Sequence, residues 1–179
     1  MADLRRAYID SCCFIDMVKT AVGHTLTSDA EADVWFMKRL LEANRDGEVR
    51  LYTSTLTIAE CSHVGEEQIR DKVKSEFTRL LISGQYVRLV QMTPFIAQDA
   101  RDLRWNHGIE LRGPDSIHSA SALYMKCEEL LSANGKLARL EAQGSKLARM
   151  GLYAKRGKDT ACLPSKYRQL DLEDGQKEN

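Results

Sequence analysis

Arg6-Ala-Tyr-Ile-Asp10-Ser-Cys-Cys-Phe-Ile-Asp16-Met-Val18 changes its period within two residues. Tyr8 and Ile9 are β-prone and run into an acid. Cys13-Phe-Ile then resumes apolar character, with Met17 and Val18 one helical turn further on. The segment reads as a strand, a turn at Asp10-Ser11 and a short helix. The rest of the chain repeats this alternation. Ser28-Asp-Ala-Glu31 has the form of a capping box and predicts a helix from about Asp29 to Ala43, with Trp35, Leu40 and Leu41 on its buried face and Asp46-Gly47 ending it. Val49-Arg-Leu-Tyr-Thr53 is the second strand candidate, and Ser54 or Thr55 can cap the segment that follows, which contains Glu60.

A charged helix is expected from Glu66 to Leu81, a third strand over Tyr86-Val-Arg-Leu-Val90, and a helix from Pro94 through about Trp105. Gly113-Pro114-Asp115 punctuates the chain before another helix. Its apolar positions Ile117, Ala120, Tyr124, Cys127 and Leu131 predict the inward face, and the small residues Ser119 to Ala122 would let it approach a sheet closely. Glu129-Leu-Leu-Ser132 is a fourth strand candidate. Lys136 to Met150 returns to helix, with Gly144 as its weak point. Strands alternating with helices imply βαβ units, hence a three-layer α/β fold with a mainly parallel sheet covered on both faces. The expected domain is 1–163, and the polar residues 164–179 are expected to form a disordered tail.

With 179 residues and 43% apolar composition, the chain has material for one domain with a real core. No stretch approaches the roughly 18–20 apolar residues that span a bilayer, and no apolar leader follows Met1, so a cytoplasmic protein that avoids membranes is expected. Five cysteines without CxxC spacing argue against a disulfide framework or a structural zinc site. The 26 basic and 26 acidic residues cancel, so net charge announces no nucleic-acid partner, but their distribution is uneven. From Ser132 to Lys158, seven Lys or Arg stand against one acid, whereas from Leu170 to Asn179 four acids stand against one Lys. A phosphate-binding face fits this pattern, and so does a solvated charged helix.

In open α/β sheets, functional groups gather at the carboxyl ends of parallel strands. Asp10 sits at such an end, Glu60 follows the second strand, and Asp115 opens a helix near the same edge. Converging carboxylates repel one another unless a hard divalent cation joins them. Each also has a plainer reading: Asp115 as a charge on a helix dipole, Glu60 as a paired core acid, Asp10 as a turn residue. His118, one turn after Asp115, can face the same crevice, although a helical His near an acid is more commonly a supporting or packing residue. No GxSxG elbow, phosphate loop or GxGxxG is present, which argues against Ser or Cys nucleophile hydrolases and dinucleotide enzymes.

Tyr8-Ile-Asp-Ser-Cys-Cys-Phe-Ile-Asp16, Leu51-Tyr-Thr-Ser-Thr-Leu-Thr-Ile-Ala-Glu60, Pro114-Asp-Ser-Ile-His-Ser-Ala-Ser-Ala122 and Leu130-Leu-Ser-Ala-Asn-Gly-Lys-Leu137 resemble, in order, the motifs of the PIN-domain nucleases over roughly residues 5–153. Among these, the chain is most similar to small VapC-type toxins of bacterial toxin-antitoxin pairs. The resemblance implies a sheet of about five strands, dependence on Mg2+ or Mn2+, and endoribonuclease activity. It makes Asp10, Glu60 and Asp115 the catalytic acids and the metal ligands or their close support, with Ser11 and Ser132 in support. It also implies an antitoxin partner and suggests a homodimer. Lys136, Arg139, Lys146 and Arg149 are the candidates for gripping RNA phosphates. Asn134 departs from the family, whose fourth motif carries an acid there. Either three acids suffice, or another such as Asp16 substitutes, or the chain is a weakened or non-catalytic module that binds RNA or a protein.

Overall fold

The computed structural model describes residues 4–64, 70–133 and 140–169. Strand β1 (Arg6–Ile9) passes to helix α1 (Ser11–Ala21) through Asp10 alone. The Asp10 carboxylate accepts the Ser11 amide at 2.6 Å and so caps the helix it precedes. Helix α2 (Ser28–Arg45) is capped one residue earlier than expected: Thr27, not Ser28, is extended and accepts the Ala30 amide at 3.4 Å. Ser28 already has helical backbone, which leaves Asp29 and Glu31 in the first turn, where their charge suits the dipole. Val34, Met37, Leu40 and Leu41 form its buried stripe. Trp35, expected among them, is only half-buried, edge-on to Phe36 and beneath the Arg39 guanidinium.

Strand β2 (Arg50–Ser54) leads into α3 (Thr55–Glu60), capped by Ser54, whose hydroxyl accepts the Leu56 amide at 3.2 Å. Helix α4 (Asp71–Leu81), strand β3 (Arg88–Val90) and helix α5 (Pro94–Trp105) follow, the last with proline in its first turn and Thr93 as its cap. The start of the helix expected from Glu66 lies outside the described residues. Helix α6 (Gly113–Tyr124) and strand β4 (Glu129–Leu131) come next. Of the helix expected over Lys136 to Met150, residues 140–142 are helical and Gln143 is a turn; α7 (Gly144–Arg149) then begins at the predicted weak point. Strand β5 (Tyr153–Lys155) was not foreseen from periodicity, since three residues carry too little pattern.

All strand pairs are parallel, in the order β3-β2-β1-β4-β5. The first three strands step one way across the sheet, and β4 returns to the other side of β1. The crevice of such a sheet therefore opens where β1 and β4 end. Alternate strand residues serve two cores. Ala7, Ile9, Leu51 and Leu131 pack with α1, α2 and α4, while Tyr8, Tyr52, Val90 and Leu130 pack with α5, α6 and α7. Full burial of each large aliphatic chain here stabilises the fold by about 1.5–3 kcal/mol.

After β5 the chain returns to α2. The Arg156 guanidinium donates twice to Asp33 Oδ2, at 2.9 and 2.7 Å, and to the Asp29 carboxylate at 3.1 Å and carbonyl at 3.0 Å. Gly157 passes so close that a Cβ would lie 2.7 Å from the Asp33 carbonyl oxygen. Lys158 reaches Asp29 at 3.0 Å and Lys155 reaches Glu129 at 2.7 Å. Three cations of the basic stretch are thus held by acids of this chain. Ser165–Tyr167 forms a 3-10 turn, with the Tyr167 hydroxyl 2.7 Å from Asp46; the acidic residues 170–179 lie outside the described part. Among the described residues, no helix is long and apolar enough to cross a membrane.

Candidate metal centre

Asp10 and Ser132 are the first residues past β1 and β4, and the Asp10 amide donates to the Leu131 carbonyl at 2.9 Å. This bond brings the two strand ends together. Both oxygens of the buried Asp10 carboxylate are gripped. Oδ1 accepts the Ser11 amide at 2.6 Å and hydroxyl at 3.2 Å. Oδ2 accepts the Ser132 hydroxyl at 2.9 Å and faces the Cys12 thiol at 3.4 Å. Ser11 and Ser132 therefore both bond the Asp10 carboxylate. Cys12 is an additional neighbour: it lies 3.3 Å from Ser132 Oγ and accepts the Ala133 amide at 3.1 Å.

Glu60 ends α3, and that helix is anchored by threonines. Thr53 Oγ1 donates to the Ile9 carbonyl at 2.8 Å and meets Thr57 Oγ1 at 2.7 Å, tying β2 and α3 to the end of β1. The buried face of α6 carries Asp115, His118, Ser119, Ala120, Ser121 and Ala122. The small residues lie inward as predicted. The expected apolar stripe holds on the helix only at Ala120: Tyr124 is exposed and Ile117 half-buried, because the inward face is rotated toward His118, while Cys127 and Leu131 are buried beyond the end of α6.

His118 is 1% exposed and occupies the centre of the arrangement. Its Nε2 lies 2.7 Å from Glu60 Oε2 and 3.4 Å from Asp10 Oδ1, and its Nδ1 lies 2.8 Å from the Tyr8 hydroxyl. Burial pushes the Tyr8 phenol well above its usual pKa, so it stays protonated. Ligand atoms of Asp10, Glu60 and His118 all fall within 4.8 Å of one another, and together they could hold a metal ion. Among the described residues no other cluster of His, Cys, Asp or Glu does so. Two carboxylates and an imidazole suit a divalent cation: two negative charges offset its own, and the oxygen and nitrogen donors can bind it directly.

The site thus differs in composition from the set read in the sequence. Asp115 is buried in the first turn of α6, one turn before His118, but does not join the compact trio. Asp16 pairs with Lys19 at 3.0 Å on α1. Asn134, Lys136 and Arg139 lie outside the described residues. Lys146 donates to the Gly108 carbonyl beyond α5, and Arg149 turns back to the Ser145 carbonyl at 3.3 Å. Tyr8 escaped sequence reasoning; the one available signal was a polar-tipped aromatic within a strand expected to be covered on both faces.

A PIN domain model matches residues 7–143. The fold is similar to that of VapBC2 from Rickettsia felis bound to a DNA fragment from their promoter, with a TM-score of 0.54 and 12% identity, covering 84% of this chain and 97% of that one. It is also similar to FitAcB from Neisseria gonorrhoeae, with a TM-score of 0.51 and 15% identity, covering 86% of this chain and 99% of that one. No curated protein sequence matches. Three quarters of the chain fit the family model, and the all-parallel sheet agrees with it: this chain belongs to the PIN domain family.

Proposed function

We propose that this protein is a divalent-metal-dependent endoribonuclease, acting as the toxin of a toxin-antitoxin pair. The observation that carries the reading is the meeting of Asp10, Glu60 and His118 at the switch point of a PIN domain sheet. A bound Mg2+ or Mn2+ would supply water activation and neutralise charge on the scissile phosphate. Asp10 and Glu60 would hold it, and Asp115, buried in the first turn of α6, is proposed to support them. Ser11 and Ser132 keep the Asp10 carboxylate from rotating, which fixes where its oxygens point. Lys136, Arg139, Lys146 and Arg149 are proposed to contact flanking phosphates of the RNA. The likeness to VapBC2 and FitAcB supports a protein partner, and we take that partner to be an antitoxin covering the acidic crevice. A homodimer in the cytoplasm completes the proposal.

The test is a panel of single-stranded and structured RNA and DNA incubated with the protein in Mg2+ or Mn2+, with and without EDTA. Cleavage of RNA alone that EDTA abolishes supports the reading. DNA cleavage would move the substrate class, and no cleavage under any condition would favour the non-catalytic module suggested by Asn134. Asn134→Asp then shows whether the missing acid is responsible.

A further inference from the structure

A carboxylate-only cluster favours a hard ion, but the compact trio here contains an imidazole at its centre. Resting on the reading that this site holds a divalent ion, we propose that His118 Nε2 is a direct ligand of it, and that His118 makes the site select a first-row transition ion such as Mn2+ over Mg2+.

Three observations carry this. First, Nε2 is aimed at the gap between the acids, 2.7 Å from Glu60 and 3.4 Å from Asp10, so an ion seated between them needs no turn of the ring. Second, the far nitrogen is engaged, with Nδ1 2.8 Å from the Tyr8 hydroxyl. In the ion-free site Nε2 donates to Glu60; an ion takes that proton's place, and the neutral ring then carries its proton on Nδ1 and donates it to Tyr8 Oη, which leaves Nε2 a lone pair for the ion. A ligating histidine usually has such a partner on its other nitrogen. Third, the trio offers two negative charges where three acids were expected. Mg2+ favours oxygen ligands and sheds water reluctantly, whereas imidazole suits transition ions.

The experiment uses Mn2+ as both ligand and probe. Mn2+ is titrated into the full chain, the electron-spin-echo spectrum of the bound ion is recorded, and Mn2+ and Mg2+ affinities are measured by calorimetry for wild type and His118→Gln. The chain has four histidines, of which His24, His63 and His107 are exposed. A triple Gln variant of those three leaves His118 as the single imidazole and keeps the test decisive if His118→Gln fails to fold. The expected result is nitrogen modulation in wild type and in the triple variant. It is lost in His118→Gln, where the preference for Mn2+ over Mg2+ falls at least about tenfold. Bound Mn2+ with no nitrogen modulation in the triple variant would overturn the role of His118 while leaving the metal reading intact. Binding of neither Mn2+ nor Mg2+ would overturn both.

Discussion

The Tyr8 hydroxyl and His118 Nδ1 lie 2.8 Å apart, so a residue in the central strand sets the orientation of the imidazole between Asp10 and Glu60. Tyr8→Phe keeps the ring and removes the hydroxyl that makes that contact. Loss of such a supporting partner typically costs 10–100-fold in metal affinity, about what Tyr8→Phe should lose for Mn2+ by calorimetry. An unchanged affinity would mean that the contact positions nothing.

The Arg156 pairing with Asp33 fastens the C-terminal segment to α2. Arg156→Ala leaves Asp33, 8% exposed, without its guanidinium, and removing one partner of a buried pair costs about 3–5 kcal/mol. Gly157→Ala, which drives a Cβ against the Asp33 carbonyl, should cost about 1–3 kcal/mol. Urea unfolding measures both. Wild-type midpoints would contradict the segment's role.

Glu129 gives acid sensitivity a definite origin. Burial is the strongest single influence and raises its pKa, but the Lys155 ammonium, the Thr160 hydroxyl and the Ala161 amide together outweigh it and leave the carboxyl below its usual value. A depressed folded pKa contributes stability that is present above the unfolded value of about 4.3 and is lost as pH falls through the folded one. Glu129→Gln should therefore be less stable than wild type at neutral pH, and the gap should narrow below about pH 4.3. A gap independent of pH would show that the carboxylate charge is not what counts.

Thiol reactivity should follow burial. Cys12 is partly exposed, while Cys13, Cys61, Cys127 and Cys162 are buried. Burial also pushes Cys127 up to about 12, so it carries almost no thiolate at neutral pH. Native-state alkylation read by peptide mass spectrometry should modify Cys12 first and leave Cys127 untouched. Equal labelling of the two would contradict this arrangement.

The architecture was legible where local chemistry decides it. The change of period at Asp10, the Ser54 cap and Pro94 at a helix start each act within a few residues, and the structure places them as read. The site was legible in part. Asp10, Ser11, Glu60 and Ser132 stand at strand ends and helix termini, which punctuation in the sequence reveals. The central place of His118 depends on Tyr8, 110 positions away, and Glu60, 58 away, and no local pattern reports such contacts. The basic stretch is legible only in part for the same reason: Arg156 meets Asp33 from 123 positions away, and its charge is absorbed within the fold.

Cleavage of a defined RNA by Asp10→Ala, compared with wild type in Mn2+, shows whether the Asp10 carboxylate does the chemistry. Wild type should cleave, EDTA should stop it, and Asp10→Ala should be inactive while its circular dichroism is unchanged and its unfolding remains cooperative. Full metal-dependent activity in Asp10→Ala would contradict the account, because the carboxylate that Ser11 and Ser132 hold in place would then do no chemistry.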